Sequence, residues 1–418
     1  MKWVKKLENT LLPIKSWCQD LEEGALEQAI NLANHPAVFK HVALMPDCHQ
    51  GYGMPIGGVI GCLNVLIPNA VGVDIGCGMG AIKTNLNVDQ IKGKEQIRGL
   101  LELIKKDVPL GEGNSHKSFQ KWKGFDTYLE SIGQNKDSLN DDNKSLPKWL
   151  DKHGWELAQA NLGTLGGGNH FIELQKSEEG RLWLMLHSGS RNLGYRIANS
   201  YHSMAKNLNA KWQSKIPDSN LAFLPVDTQE GEAYLRDMNF AMEYARENRS
   251  RMMKVFKRAV QIIWPKAEFE EEINIHHNYA SLENHFGRNL WVHRKGATSA
   301  RENELGIIPG SMGTSSYIVR GLGNPESFSS CSHGAGRKMS RTAACENLSL
   351  DQCNRAMEGV VFDRFGKLKS RGKKQRHKNL YDLSEAPLAY KDIDAVIEAE
   401  SDLIEALVKL SPLGVLKG

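Results

Sequence analysis

The chain has no C-x-x-C pair. Its seven cysteines (Cys18, Cys48, Cys62, Cys77, Cys331, Cys345 and Cys353) are scattered and odd in number. That pattern disfavours a disulfide framework or a structural zinc knuckle and points to free thiols in a reducing cytoplasm. No run of about 18 apolar residues exists, so no transmembrane helix is expected. The opening Met1-Lys2-Trp3-Val4-Lys5-Lys6 lacks the apolar core of a signal peptide. The Walker pattern is missing as well. Gly78-Met79-Gly80-Ala81-Ile82-Lys83-Thr84 comes near it, but Ile82 stands where glycine is needed, which argues against a P-loop NTPase. Net charge is only +4, which permits an anionic partner without requiring one.

What remains is ordinary in bulk. With 418 residues, 40% hydrophobic and 24% charged, the chain can bury a large core. Residues 1–40 read as a short strand and then a helix with Leu26, Ala29, Ile30 and Ala33 on its apolar side. Val42-Ala43-Leu44-Met45, Val59-Ile60 and Val71-Gly72-Val73 are short apolar runs broken by glycine, as in strands with tight turns. Residues 88–160 read as helices with loops, with a charged loop from Asn135 to Lys148. Strands are expected near Phe171–Leu174 and Leu182–Leu186. The clearest helix runs from about Thr228 to Trp264, where Tyr234, Leu235, Met238, Met242, Ala245, Met252, Val255, Phe256, Ala259 and Ile263 recur mostly at spacings of three and four; Pro265 ends it. Strands and glycine-rich turns return from Glu272 to Ser340, and a final helix is expected from Ile393 to Leu410. Residues 364–378, RFGKLKSRGKKQRHK, hold eight Lys/Arg and no acid. They read equally as a solvated loop or as an RNA-backbone contact. With no repeat and no clean linker, the separated blocks of candidate chemistry suggest one intertwined domain over 1–418.

Metal-ligand residue types gather in glycine-rich surroundings. Asp74 and Cys77 lie in VGVDIGCGMG, where the glycines allow a turn tight enough for both side chains to face one point. Taken alone, Cys77 reads as a buried free thiol. His170 sits in GTLGGGNHFIEL, behind three glycines whose N–H groups suit a phosphate. His187 ends an apolar run in LMLHSGSRNLG, followed by Ser188, Ser190 and Arg191, and His276 and His277 lie in INIHHNYA. One such histidine is usually structural. Several together with Asp-x-x-Cys make a mixed N/O/S site for one or two divalent ions, which suits phosphoryl transfer. GIIPGSMGTSSYIVRGLG (306–323) and SCSHGAGRKMSR (330–341) add phosphate-sized turns. Arg337 could hold a phosphate bidentately, and His333 could act as general base or covalent nucleophile.

These blocks resemble the RtcB family of RNA-splicing ligases. MPDCHQGYGMPIGGV, VGVDIGCGM, GGGNHFIEL, HSGSRNLG, HHNYA, RKGA, IIPGSMG, SCSHGAGR-x-MSR, AYKDID and a terminal Leu-Lys-Gly look like the family's motifs in family order, from residue 45 to 418. The resemblance implies an α+β fold, with mixed β-sheets around a central metal and nucleotide cleft and flanking helices. It implies two Mn2+ ions: Asp74, Cys77 and His170 on one, and Cys77, His187 and His277 on the other. His276 is set aside because the family's ligand precedes the Asn of H-N. GTP would meet Asn169, His170, Phe171, Ile172, Glu173, His277, Asn278, Pro309, Gly310, Ser311, Met312, Ser316, His333, Gly334, Ala335, Gly336 and Lys417. His333 would carry GMP, and Arg191 and Arg337 are candidates for RNA phosphate. The implied reaction joins a 3′-phosphate or 2′,3′-cyclic phosphate RNA end to a 5′-hydroxyl end. A monomer is expected, with an archease-type protein as a possible activator. Lys-x-Asp-Gly, the lysine-nucleophile signature of other nucleotidyl-transferring ligases, is absent, in keeping with a histidine nucleophile. Cys48 in MPDCHQG departs from the aliphatic residue more usual there and reads as packing. The metal-ligand set alone also permits a two-metal phosphoesterase or nuclease, and the basic run alone permits a non-catalytic RNA-binding protein.

Overall fold

The computed structural model describes residues 1–139, 143, 145–367 and 381–418. Helices and strands are mixed, as the α+β expectation requires. A six-stranded sheet has the order Trp3–Lys5, Ile14–Ser16, Val38–Tyr52, Met54–Cys62, Arg288–Lys295, Asn278–His285. A seven-stranded, wholly antiparallel sheet has the order Ile273–His276, Gly78–Asn87, Arg181–Ser188, Phe171–Ser177, Ile404–Lys417, Ser316–Gly321, Leu305–Ile308. The two sheets share a buried cluster, in which Ala43, Val59 and Val292 of the smaller lie with Ile308, Tyr317 and Val319 of the larger, and at one point a single residue carries the chain from one sheet to the other. His276 closes a strand of the larger sheet and Asn278 opens a strand of the smaller, so His277 is the one residue between those two strands.

Strand alternation explains the near-continuous apolar run Leu182–Leu186. Ile82, Leu184 and Leu186 face the helix Gln229–Ile263, where they meet Met252, Met253, Phe256 and Val260. Met79, Ala81 and Met185 face the other way, into a cluster with Ile307 and Ile318. Both sides of the sheet are covered, so both parities must be apolar. The long helix begins at Thr228, whose Oγ1 accepts from Gly231 N at 3.1 Å. Two of its polar residues, fully buried, pin the loops above the sheet. Asn248 Nδ2 donates to Ser188 Oγ and Gly189 O, both at 3.1 Å. Arg249 Nη1 donates to Gly76 O at 2.9 Å and Ser188 O at 3.0 Å.

Two expected elements differ. The helix read over Ile393–Leu410 is a helix only over Ile393–Ala399; Ile404–Lys417 is a strand. Its local residues suit a helix, but it lies between two partner strands that supply main-chain bonds on both sides. Pro412, which has no N–H to donate, falls where the register shifts. Val71 ends the short helix Pro68–Val71 rather than opening a strand, and Gly72 turns the chain at φ +94°. Of the basic run 364–378, only residues 364–367 lie within the described residues, as does only part of the Asn135–Lys148 loop. All seven cysteines are free and buried. Among the described residues no helix is long and apolar enough to cross a membrane.

Candidate metal and nucleotide site

The loop after Gly72 folds back on itself, with Cys77 N donating to Asp74 O at 3.1 Å. Glycines nearby make room. The Asp74 carboxylate lies so close over Gly189 that a Cβ there would stand 2.5 Å from Oδ1. His170 donates from Nδ1 to Leu165 O at 2.9 Å, because a carbonyl can only accept; Nε2 therefore carries the lone pair. That Nε2 is 3.5 Å from Cys77 Sγ and 3.4 Å from Asp74 Oδ2. His187 Nε2 is 3.3 Å from Cys77 Sγ and 3.3 Å from His277 Nε2. The donor atoms of Cys77, His170 and His187 all lie within 4.8 Å of one another. His277 is tied in by its own main chain, its N donating to Cys77 O at 2.8 Å.

Electrostatics fit this set to a divalent cation. Burial, aided by Asp74, pushes the Cys77 thiol well up. Burial and neighbouring histidines hold His187 and His277 well below the ordinary imidazole value. Uncharged lone pairs thus face each other in a closed space, and His277 Nδ1 is buried without a partner. A cation would turn that arrangement into coordination and would draw off the thiol proton. The neighbouring His276 is different. Its Nδ1 lies 2.8 Å from Gly76 O and 3.1 Å from Arg249 Nη2, and burial with Arg249 lowers it to about 3.

Beside the cluster stands His333, its ring 4.8 Å from that of His277. Asp47, fully buried, accepts from both His333 Nδ1 at 2.5 Å and His333 N at 3.2 Å. The carboxylate therefore fixes the proton on Nδ1 and leaves Nε2 as the free lone pair. Close approach needs Gly336, at φ +72°, where a Cβ would meet Asp47 O at 2.4 Å. Ser332, one residue before His333, is held by the buried Glu400, whose Oε2 accepts from Ser332 N at 2.9 Å. His333 opens onto a cleft of about 820 Å3 whose wall includes Asn169, Phe171, Pro309–Met312, Gly334–Arg337, Glu385 and Lys417. On the same wall Arg337, Arg341 and Lys417 reach Glu385 at 3.3, 2.8 and 3.6 Å.

Comparison with known proteins agrees in identity and extent. The family model described as tRNA-splicing ligase RtcB matches residues 28–418. The chain belongs to the RtcB family. It is 40% identical to the RNA-splicing ligase RtcB of Escherichia coli (strain K12) over 97% of each chain. It is 32% identical to the tRNA-splicing ligase RtcB of Thermococcus kodakarensis over 95% of this chain and 92% of that one. The corresponding protein of Methanococcus maripaludis is 30% identical over 96% and 92%. RtcB family membership together with the His/Cys cluster fits a metal-dependent enzyme.

Within this RtcB chain the expected residues fall into three groups. Asp74, Cys77, His170, His187 and His277 come together as described. Asn169, Phe171, Pro309, Gly310, Ser311, Met312, His333, Gly334, Ala335, Gly336 and Lys417 line the cleft. Four others sit behind its wall. Ile172 alternates away from Phe171 into the core. Glu173 and Ser316 are joined through Gln175 Nε2, at 2.6 and 3.2 Å. Asn278 braces the junction, accepting from Gly296 N at 2.7 Å and donating to Asp74 O at 3.0 Å. Arg337 lines the cleft, but its guanidinium is engaged by Ser384 O, Tyr390 and Glu385. Arg191 lies against Gly166, with Nε donating to Thr164 Oγ1 at 3.1 Å. Sequence reasoning passed over Asp47, Glu385 and Arg341. Asp47 and Arg341 were within quoted motifs, so the signal was present; their contacts lie too far along the chain to read.

Proposed function

We propose that this protein is a GTP- and manganese-dependent RNA ligase of one domain spanning 1–418. It would join a 3′-phosphate or 2′,3′-cyclic phosphate end to a 5′-hydroxyl end, acting as a monomer, with an archease-type activator as a candidate partner. The observation that carries this reading is an imidazole held by Asp47, with Nε2 bare, beside a cluster of metal-ligand donors. Asp74, Cys77, His170, His187 and His277 would hold two manganese ions, which neutralise phosphate charge and keep the reacting oxygens in line.

His333 Nε2 attacks the α-phosphate of GTP. A P–N bond forms, the bond to the β-phosphate breaks, and pyrophosphate leaves. Asp47 keeps Nδ1–H in place and balances the charge that the ring gains. A cyclic end having been opened to a 3′-phosphate, GMP passes from His333 to that phosphate and gives an RNA-ppG end. The 5′-hydroxyl then attacks and GMP departs. In the Pro309–Met312 and Gly334–Gly336 turns Gly310 N, Ser311 N and Ala335 N already donate within the protein, so the turns offer a phosphate close main-chain approach at Gly334 and Gly336. Lys417, on the cleft wall, suits the guanine edge, since an ammonium donates to O6, and Glu173 behind the wall helps keep that ammonium charged. Burial, opposed by Lys417, raises Glu173 to about 7.

A two-metal phosphoesterase would use the same donors but leaves the Asp47–His333 pair idle. Incubation with manganese and GTP labelled at the α-phosphate should give a covalent, acid-labile adduct that His333→Ala loses. No adduct in the wild-type chain would favour the phosphoesterase.

A further inference from the structure

One cleft-lining histidine has no part in that scheme. His49 lies two residues beyond Asp47 on Val38–Tyr52, in a stretch where the pairing register of the strand shifts. Both imidazoles hang on Asp47. His333 donates to its carboxylate, and His49 Nδ1 lies 2.9 Å from its main-chain oxygen. A carbonyl oxygen only accepts, so His49 carries its proton on Nδ1 and presents a bare Nε2. His49 and His333 line the same cleft.

The two ends of the cleft differ in charge. The lining cations Arg337, Arg341 and Lys417 all reach Glu385. Near His49 the lining residues among those described are Glu22, Glu23, Gly24, Gln50 and Gly51, none of them a lysine or arginine, while Lys391 lies behind Cys48. Glu22 is fixed there by Gln50 N, which donates to its Oε2 at 3.0 Å. An acidic rim beside a neutral base repels a terminal phosphate dianion and accepts an uncharged hydroxyl.

Resting on the ligase reading, we propose that His49 is the general base for the sealing step and that its end of the cleft receives the 5′-hydroxyl RNA terminus. The O5′ proton passes to His49 Nε2 as O5′ bonds to the RNA 3′-phosphorus. The anhydride P–O bond breaks, GMP leaves with its electron pair, and His49 returns the proton to solvent. Groups facing the ring are Asp47 on its own strand, His333 on the Ser332–Gly336 turn, Glu22 and Glu23 at the start of helix Glu23–Ala33, and Lys391 behind Cys48. Burial, helped by His333 and Lys391 and opposed by Asp47, lowers His49 from the ordinary imidazole value, so the ring is unprotonated at neutral pH.

The test uses RNA already carrying a 3′-ppG end, so that no guanylylation is needed. Its sealing to 5′-hydroxyl RNA is followed in single turnovers with manganese across acid and neutral pH. The wild-type rate should climb from acid pH and level off. His49→Gln should be slower by about 100-fold or more, with the acid limb gone. Free imidazole should speed sealing by His49→Gly. Guanylylation of His333 in the same variants reports whether Asp47 and His333 keep their places. A flat wild-type profile overturns the assignment, as does a His49→Gln chain that seals with an unaltered acid limb. So does guanylylation failing along with sealing while imidazole rescues neither in His49→Gly. A wild-type chain that seals nothing would instead remove the ligase reading beneath it.

Discussion

At the scale of single residues, the site is governed by which nitrogen of each imidazole carries the proton. Asp47 is the clearest case. Its carboxylate can only accept, so His333 must donate from Nδ1. In Asp47→Asn the amide NH2 can face Nδ1, which favours the tautomer with a protonated, unreactive Nε2. We expect guanylylation in that variant to fall by about 100-fold or more, with bound manganese unchanged by elemental analysis. Glu400 gives a different prediction. Burial, opposed by its bonds to Ser332, raises it to about 8 from the ordinary 4.5. The folded state therefore holds this proton where the unfolded chain has released it, and stability falls as pH rises between those values. Glu400→Gln keeps both bonds to Ser332 without the titration. It should match the wild type near the lower value and gain on it towards pH 8, by on the order of 4 kcal/mol, read from denaturant midpoints. Neither role was legible in the sequence. Asp47 lies within the motif MPDCHQGYGMPIGGV but has its meaning through a partner 286 positions away, and Glu400 through one 68 positions back, so the local pattern gives the role of neither. Of the candidate metal ligands, Asp74, Cys77, His170 and His187 stood out in the sequence because glycines near each announce a turn, whereas His277 has no glycine beside it and stood out only as a histidine after an apolar run.

At the scale of elements, helix Gln229–Ile263 and strand Ile404–Lys417 show what sequence patterns can and cannot carry. The helix repeats its apolar positions within one continuous segment, so its period and its Thr228 cap are both local facts. The strand owes its conformation to neighbours 171–177 and 316–321, and its own Glu405-Ala406-Leu407 suits a helix better. That strand also carries Lys417 to the cleft, and Gly418 N donates to His170 O at 3.2 Å. Removing Lys417 and Gly418 should raise the KM for GTP by about tenfold or more, the loss of one charge-assisted bond. The rest of the strand stays paired, so thermal stability should change little. Unchanged GTP dependence in the truncated chain would separate this strand from nucleotide recognition.

At the scale of the whole molecule, distant segments are locked together. The Met1 ammonium reaches Asp402 at 3.1 Å, and Trp17 Nε1 donates to the same carboxylate at 2.8 Å. His277 joins the two large sheets and belongs to the donor cluster, so filling the site should brace both at once. We expect a single unfolding transition by calorimetry. At a manganese concentration about 100 times its Kd, folding should gain about 3 kcal/mol, seen as a higher midpoint. His277→Ala should lose that gain, and His276→Ala, whose ring faces Arg249, should keep it. Two separate transitions would reject the single domain. The place of Ile404–Lys417 inside its sheet has one more consequence. During synthesis, Phe171–Ser177 and Ser316–Gly321 leave the ribosome before the strand that lies between them exists. Until it arrives, both offer bare hydrogen-bonding edges to any passing peptide. The nascent protein should therefore need a chaperone most in the interval just before its last strand emerges, and a stalled chain lacking that strand should be the form most prone to clump.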